Sequence, residues 1–480
     1  MDLLTLSVQE MSRGLREKQF TSSELTRVFL AEAKRRNDEL NAYVLLIEAE
    51  ALAQAEESDA RYAEGKPLSA LDGIPCALKD IFNTRGVRTT CCSKMLERFV
   101  PPYDATSIRK LRDAGVVFLG KTNMDEFACG GSTEHSCFGP TMNPADPSTI
   151  AGGSSGGSAA VVAGNMAAFA MGTDTGGSIR QPASLCGCVG LKPTYGRISR
   201  SGVTSMASSL DTVGHFTKTV GDSALILQAL AGHDSRDATT PDVPVPDYLK
   251  DLEKGVKGLK IGLPKEYFAE GVDPEVRDAV MAVAKVYESL GATVKEVSLP
   301  FTKYAVAVYY IIMPAELSAN LARFDGIRYG SRPKQEGESI IDYYYNARGE
   351  GFGAEIKRRI MVGTYVLSAG YYDAFYNKAL KVRTLIKNDF DEVFKEVDVL
   401  LTPTSPIPAF KPGEKIDDPI AMYLADALTI PANAAGVPAL NVPCGKTSTG
   451  LPIGMQLITP QFAEGLLFQV GRAYEKAVTI

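Results

Sequence analysis

The first part of the chain shows the periodicity of helices. Thr21-Ser22-Ser23-Glu24 has the form of a capping box, in which side chains satisfy the free N–H groups at the start of a helix. Leu25, Val28 and Phe29 follow at the spacing that lines one helical face. This pattern predicts a helical N-terminal segment over about residues 1–65.

Beyond this segment, helical patterns alternate with short apolar runs. Residues 104–114 predict a helix that ends at Gly115, and Val116-Val117-Phe118-Leu119 predicts a buried strand after it. The same reasoning predicts strands at residues 259–262, 293–299 and 397–401, and helices at residues 274–290 and from residue 374. Such alternation is typical of an α/β fold whose sheet is covered by helices on both faces.

One polar stretch interrupts the alternation. Residues 234–251 include Pro241, Pro244 and Pro246 and form the best candidate for a linker. The stretch could divide two domains, or it could be an excursion within one.

Composition limits the class of protein. The chain has 480 residues, of which 45% are hydrophobic and 22% charged, so it can bury a large core. The longest clean apolar run, residues 304–313, is well short of the roughly 18 residues that suggest a membrane span. The N-terminus lacks the pattern of a secretion signal, so we expect a cytoplasmic protein.

The charge and the cysteines argue against two further classes. The net charge of −6 disfavours a protein that grips phosphates along a broad basic face. The eight cysteines are sparse and lie in apolar or glycine-rich surroundings, which is typical of buried free thiols. Cys186 and Cys188 have C-x-C spacing and no second pair at ligand spacing, so a metal site is not predicted.

Glycine-rich stretches with serines carry the most distinctive chemistry. Ser154 lies in residues 152–158 (Gly-Gly-Ser-Ser-Gly-Gly-Ser), and Ser178 lies in residues 174–180 (Asp-Thr-Gly-Gly-Ser-Ile-Arg). A single glycine usually builds a turn, but grouped glycines let main-chain N–H groups approach a ligand closely. The first stretch lacks the lysine of a phosphate-binding loop, which disfavours nucleotide binding.

The span from Gly152 through Pro182 resembles the amidase signature, the mark of hydrolases that use a Ser-Ser-Lys triad on amide bonds. By residue-for-residue match, the resemblance implies that Ser178 is the nucleophile and Lys79 the base. It also implies that Ser154, on a cis peptide bond, relays the proton between them. The fold of that family is a large central mixed β-sheet covered by helices, here in a single domain over residues 1–480.

The surroundings of Lys79 suit this role. Ile74-Pro75-Cys76-Ala77-Leu78 reads as a buried strand, which would desolvate the amine and favour the neutral form that can accept a proton. Alone, such a lysine would be interpreted as a surface residue whose amine reaches solvent. The two serine motifs favour the buried base.

The residues around the nucleophile have expected roles too. Thr175, Gly176, Gly177 and Ser178 are expected to form the oxyanion hole, because their N–H groups can converge on the oxygen of a tetrahedral intermediate. Asp174 and Arg180 flank the loop, and we predict that they form an ion pair that braces it without taking part in the chemistry.

A narrower resemblance covers nearly the whole chain. Four stretches are similar to the A subunits of glutamyl-tRNA and aspartyl-tRNA amidotransferases, namely residues 121–127, 190–197, 322–330 and 355–360. In that family glutamine is held by a tyrosine, an arginine and an aspartate. These correspond to Tyr309, Arg358 and Asp426, with Gly130 also at the substrate, while the adjacent Tyr310 and Arg359 are alternatives.

The resemblance also implies partners. The chain would form a heterotrimer with the subunits GatB and GatC, and ammonia from glutamine would pass to a partner that amidates Glu-tRNA(Gln), Asp-tRNA(Asn) or both. ATP, magnesium and most tRNA contacts would belong to that partner, so this chain would need no cofactor. The alternatives are a stand-alone amidase with the same signature and a non-catalytic scaffold for a tRNA-binding protein.

Overall fold

The computed structural model describes residues 2–335, 337–416 and 418–478. The strands within these residues are β1 Tyr43–Leu46, β2 Pro75–Lys79, β3 Val117–Thr122, β4 Met142–Asn143, β5 Asp146–Ile150, β6 Phe169–Asp174, β7 Val189–Lys192, β8 Thr212–Thr217, β9 Lys260–Pro264, β10 Thr293–Val297, β11 Val399–Pro403, β12 Ala439–Lys446 and β13 Pro452–Ile458. β4 and β5 pair with each other. The other eleven strands form one sheet in the order β1-β3-β2-β6-β8-β7-β12-β13-β11-β9-β10.

Helices flank this sheet. They are α1 Val8–Arg16, α2 Ser22–Leu40, α3 Glu48–Ala63, α4 Thr106–Asp113, α5 Gly156–Ala163, α6 Arg180–Cys186, α7 Val220–Leu230, α8 Pro274–Ser289, α9 Ala305–Leu321, α10 Ile340–Gly351, α11 Ala354–Leu367, α12 Lys378–Val393, α13 Pro419–Leu424, α14 Ile430–Ala435 and α15 Glu464–Val478. A π-helix at Tyr372–Asn377 precedes α12.

The sheet is mixed. β2 runs parallel to both β3 and β6, whereas β8 runs antiparallel to β6 and β7. Every residue of β2, β3, β6, β8 and β13 is buried. Because successive side chains of a strand point to opposite faces, full burial means that both faces of the sheet are covered. The predicted α/β fold with a large mixed sheet is confirmed.

Most predicted elements are present. Thr21 caps α2 in the predicted capping box, and Leu25 and Phe29 are buried on its inner face. The helices and strands predicted between residues 104 and 119, 259 and 299, and 374 and 401 correspond to α4, β3, β9, α8, β10, α12 and β11. The helical N-terminal segment also contains β1, which the periodicity did not reveal because four residues are too few to show alternation.

Strands from both sides of residues 234–251 belong to the one sheet, since β12 pairs with β7. The two sides of this stretch therefore share one sheet, and the single domain stays a prediction. All eight cysteines are free, and six of them are buried, as predicted for structural thiols. Residues 305–313 of the apolar run lie in α9. Among the described residues, no helix is both long and apolar enough to cross a membrane.

The topology brings the sequence motifs together. Lys79 ends β2, and Asp174 ends the neighbouring parallel strand β6. The carboxyl ends of parallel strands meet at one edge of a sheet. Ser154 precedes α5 and Ser178 precedes α6, two helices that pack against each other beside this edge.

Candidate active site

A buried lysine lies at the centre of the site. The Lys79 side chain has no solvent exposure. Its Nζ lies 2.8 Å from Ser154 Oγ, 2.7 Å from Ser155 Oγ and 2.9 Å from Thr173 Oγ1. It forms no salt bridge within the described part of the chain. The predicted burial of this amine, and its contact with Ser154, are therefore present.

The electrostatics of Lys79 favour a neutral amine. Burial lowers the pKa of Lys79 to about 7, and the carboxylates of Asp125 and Asp174 only partly oppose this shift. A neutral amine has two N–H groups and one lone pair. The Ser155 hydroxyl donates to the carbonyl oxygen of Thr173 at 3.1 Å, so it accepts from Nζ. Thr173 Oγ1 accepts from the second N–H group, so the Ser154 hydroxyl is free to donate to the lone pair.

The two serine motifs are joined through the main chain. The peptide bond between Gly153 and Ser154 is cis, as the resemblance implies. The N–H group of Ser155 donates to the carbonyl oxygen of Ser178 at 3.2 Å. Ser178 itself is 6% exposed. The structure thus brings Lys79, Ser154 and Ser178 into one cluster, with a direct side-chain hydrogen bond between the first two.

The loop that carries Ser178 has free donors. Among the described residues, the N–H groups of Gly176, Gly177 and Ser178 donate to no main-chain acceptor. The loop begins at Thr175. It is held in place through a carbonyl group, because Thr429 Oγ1 donates to the carbonyl oxygen of Gly176 at 2.7 Å. Unused N–H groups beside a serine are the elements of an oxyanion hole.

The ion pair predicted to brace this loop is present. Arg180 and Asp174 are fully buried, and two nitrogens of the guanidinium contact the carboxylate at 3.0 and 2.9 Å. Burial opposes ionisation of Asp174, but the charge and hydrogen bonds of Arg180 outweigh it and lower the pKa of the carboxyl to about 2. Arg180 also donates to Thr429, Gln456 and Asn433, which tie the loop to α14 and β13.

Replacing Arg180 with methionine is expected to lower the free energy of unfolding by about 3–5 kcal/mol, because it leaves a buried carboxylate without its partner. Urea denaturation would measure the loss. Arg277→Met is the matched control, because Arg277 pairs with Asp278 at the surface and exposed pairs contribute at most about 1 kcal/mol. Equal losses in the two variants would contradict the bracing role.

The two candidate tyrosines occupy different places. Tyr309 lies against the Ser178 loop, since a Cβ at Gly176 would come within 2.7 Å of Tyr309 Cζ. Tyr310 stacks on Tyr423 with ring centroids 3.9 Å apart. Burial raises the pKa of both Tyr309 and Tyr310, so both hydroxyls stay protonated at neutral pH. Tyr309 is the one beside the nucleophile.

Asp426 presents an unsatisfied oxygen. It lies between α13 and α14 and is 9% exposed, and a Cβ at Gly131 would come 3.2 Å from its Oδ2. Its buried Oδ1 has no hydrogen-bond partner among the described residues. Burial, followed by the charge of Asp174, raises the pKa of Asp426 well above its usual value. Gly130 instead packs against the Asp125 carboxylate, which a Cβ there would strike.

Arg358, the predicted arginine, and Arg359, its alternative, lie in different environments. The side chain of Arg358 is 47% exposed and pairs with Glu355. The side chain of Arg359 is 6% exposed and also pairs with Glu355, at 2.7 Å, and its guanidinium lies 4.7 Å from the Tyr310 ring centre and 4.2 Å from that of Tyr423. Consecutive positions on α11 point about 100° apart, so only one of the two can face inward.

Sequence reasoning missed several contributors. Ser155 and Thr173 provide two of the three hydroxyls around Lys79. Two features of the sequence could have identified them. Ser155 adjoins Ser154 in the same glycine-rich run, and Thr173 lies at the end of a buried strand. Thr429 and Asn433, which hold the nucleophile loop, lie in α14 or next to it and carry no local motif.

Comparison with known proteins finds related chains over the full length. A model of the amidase family matches residues 24–468. The glutamyl-tRNA(Gln) amidotransferase A subunit of Myxococcus xanthus (strain DK1622) is 56% identical over 476 residues, covering 99% of this chain and 98% of the relative. The protein of the same name from Geobacter sp. (strain M21) is 54% identical, with the same coverage. The crystal structure of the glutamyl-tRNA(Gln) amidotransferase A subunit from Thermotoga maritima superimposes with a TM-score of 0.82 at 42% identity, covering 99% of this chain and 95% of that one.

Proposed function

The chain belongs to the amidase family and, within it, to the A subunits of glutamyl-tRNA(Gln) amidotransferase, and we propose that it is the component that hydrolyses glutamine to release ammonia. The observation that carries this proposal is the unpartnered, buried Oδ1 of Asp426 close to a Ser-Ser-Lys cluster. A buried carboxylate oxygen without a partner is costly, and a ligand that donates to it would remove the cost.

An α-amino acid amide fits this arrangement. Its ammonium group would donate to Asp426 Oδ1 and restore the ionised carboxylate. Its carboxylate would pair with Arg359. This arginine stacks on Tyr423, and Tyr423 lies next to Asp426, because its carbonyl oxygen accepts from the N–H of Asp426 at 3.3 Å. The side-chain amide would then extend past Tyr309 toward Ser178. Glutamine has these three groups in the required order.

The proton steps follow from the hydrogen bonds around Lys79. The neutral amine takes a proton from Ser154, which takes one from Ser178 as its Oγ bonds to the amide carbon. The free N–H groups of residues 176–178 stabilise the oxyanion. The lysine ammonium returns a proton through Ser154 to the leaving nitrogen, and the C–N bond breaks to release ammonia. Water then hydrolyses the glutamyl ester on Ser178.

The relatives' name supports a proposal for where the ammonia goes. They are A subunits of an enzyme whose name specifies Glu-tRNA(Gln), so we propose that this chain works in a complex with GatB and GatC. A partner would use ATP and magnesium to activate Glu-tRNA(Gln), Asp-tRNA(Asn) or both. The cytoplasm, the predicted location, is where such an enzyme meets aminoacyl-tRNA.

Arg359→Ala is expected to raise the KM for glutamine by about 100-fold, because it removes a charge-assisted pair worth roughly 2–3 kcal/mol. Ammonia release by the complex of the three subunits would be measured as a function of glutamine concentration. Arg358→Ala is the matched control, because it removes the same charge one residue away from an exposed position. We expect a change of less than about threefold for this control.

The same assay separates the alternatives. A stand-alone amidase for another amide would leave glutamine use equally poor in the wild type and both variants. A non-catalytic scaffold would form no glutamyl ester, so hydroxylamine would trap no glutamyl hydroxamate. A larger KM effect for Arg358→Ala than for Arg359→Ala would contradict the proposed orientation of glutamine.

A further inference from the structure

A groove outside the active site concentrates positive charge. It encloses about 1470 Å³ between the segment of residues 94–103 and the segment of residues 320–334, which follows α9. Six cationic side chains line it, namely Lys94, Arg98, Arg323, Arg328, Arg332 and Lys334. Of the described residues that line the groove, two are acidic, Glu97 and Glu350. The whole chain has 57 acidic and 51 basic residues, so the charge of this groove is opposite in sign to the net charge of the chain.

These cations are available to a ligand. All six are exposed. In the described part of the chain, Arg98 pairs with Glu97 at 3.5 Å, and the other five form no salt bridge. A cluster of like charges in a concave surface raises the local concentration of anions. Five cations that pair with no acidic side chain among the described residues favour an anionic ligand over an internal ion-pair network.

Hydrogen bonds hold the segments that form the groove. Ser331 donates from its N–H to the carbonyl oxygen of Met95 at 2.7 Å and from its hydroxyl to that of Lys94 at 3.1 Å. Asp325 accepts from the N–H groups of Ile327 and Arg328. The Ser331 bonds fix the two walls relative to each other, and the Asp325 bonds fix the turn within the second wall. The cations therefore project from a defined frame.

Aromatic faces accompany the charges. Tyr103 and Tyr329 line the same groove and are 52% and 55% exposed. An RNA chain offers both phosphates for the cations and planar bases for exposed rings, whereas an acidic peptide offers carboxylates alone. Arginine forks also match phosphate oxygens in pairs. The combination favours RNA among the anionic polymers.

We infer that this groove binds the phosphate backbone of the tRNA on which the assembled enzyme acts. The inference rests on the proposed function, which supplies the RNA. It modifies the expectation that the partner holds most of the tRNA, because it assigns part of that contact to the acidic chain itself. The groove is separate from the glutamine site, since neither the triad nor the Asp426 region lines it.

Arg328→Gln together with Arg332→Gln is expected to weaken tRNA binding by the complex of the three subunits about tenfold at 50 mM salt. The slope of log K against log salt is expected to fall by about 2, one for each phosphate that the variant no longer neutralises. Filter binding with unacylated tRNA would measure both. Lys254→Gln with Lys285→Gln is the matched control, because both lysines are exposed and lie outside the groove, and it should change neither quantity.

Other results would overturn the inference. Unchanged tRNA affinity in the Arg328 and Arg332 variant would do so, as would a wild-type complex that binds no tRNA. Dissociation of the variant complex on gel filtration would show that the groove holds an acidic segment of a partner protein instead. Ammonia release without tRNA is measured in parallel, and its presence in the variant keeps a failure here distinct from a failure of the proposed glutaminase activity.

Discussion

Ser178→Ala is expected to lower the kcat of glutamine hydrolysis by at least about 10⁴-fold, because no other group near Lys79 is positioned on the oxyanion loop to form the acyl ester. Ammonia release by the complex of the three subunits would be measured at saturating glutamine. Glutamine binding is expected to persist, because the proposed ligands Asp426 and Arg359 are unchanged. The variant would therefore separate the chemical step from substrate binding.

Two further measurements make this result specific. Ser148→Ala removes an exposed serine hydroxyl in β5 and should leave kcat unchanged. Hydroxylamine added during turnover should yield glutamyl hydroxamate with the wild type and with the Ser148 variant only. If Ser178→Ala kept more than about a hundredth of the activity, the nucleophile would have to be a different residue.

Lys79→Met is expected to lower kcat by about 10³-fold or more, since methionine fills the space without providing a base. The wild type should show kcat/KM rising with pH through about 7, because the pKa of Lys79 lies near that value and only the neutral amine accepts a proton. Below pH 7 the rate should fall about tenfold per pH unit. A flat profile between pH 6 and 8 would contradict the role of Lys79 as the base.

The same substitution has an expected effect on stability. The pKa of Lys79 is lowered in the folded chain, so between about pH 10 and pH 7 the unfolded chain binds a proton that the folded chain does not. The wild-type free energy of unfolding should therefore fall by about 1.4 kcal/mol per pH unit as the pH is lowered across this window. Lys79→Met lacks this contribution. The free energy of unfolding of the wild type relative to that of Lys79→Met should therefore fall as the pH is lowered to about 7, and it should stay constant below that pH.

The sequence was most informative where local chemistry fixes structure. The capping box at Thr21 and Glu24 begins α2 because its hydrogen bonds lie within one turn. The buried strand before Lys79 and the glycine-rich loops around Ser154 and Ser178 likewise identify their positions from neighbouring residues. The geometry of the Lys79 cluster followed from these motifs together with the family resemblance.

Long-range contacts were outside the reach of the sequence. Arg180 contacts Thr429, Asn433 and Gln456 across separations of 249, 253 and 276 residues, and no local pattern encodes such pairs. The sequence left the choice between Arg358 and Arg359 open for a different reason. Both lie on one helix, and the rotational phase of that helix is set by packing against α9 rather than by the arginines themselves.

The order of strands in the sheet has a consequence for synthesis on the ribosome. Lys79, Ser154 and Ser178 all emerge within the first 178 residues, but β12 and β13 occupy the middle of the sheet, and Gln456 in β13 receives a hydrogen bond from Arg180. A nascent chain would hold its nucleophile in an incomplete sheet until β13, the last strand in the described residues, has been synthesised. A fragment that ends anywhere before β13 should therefore not hydrolyse glutamine.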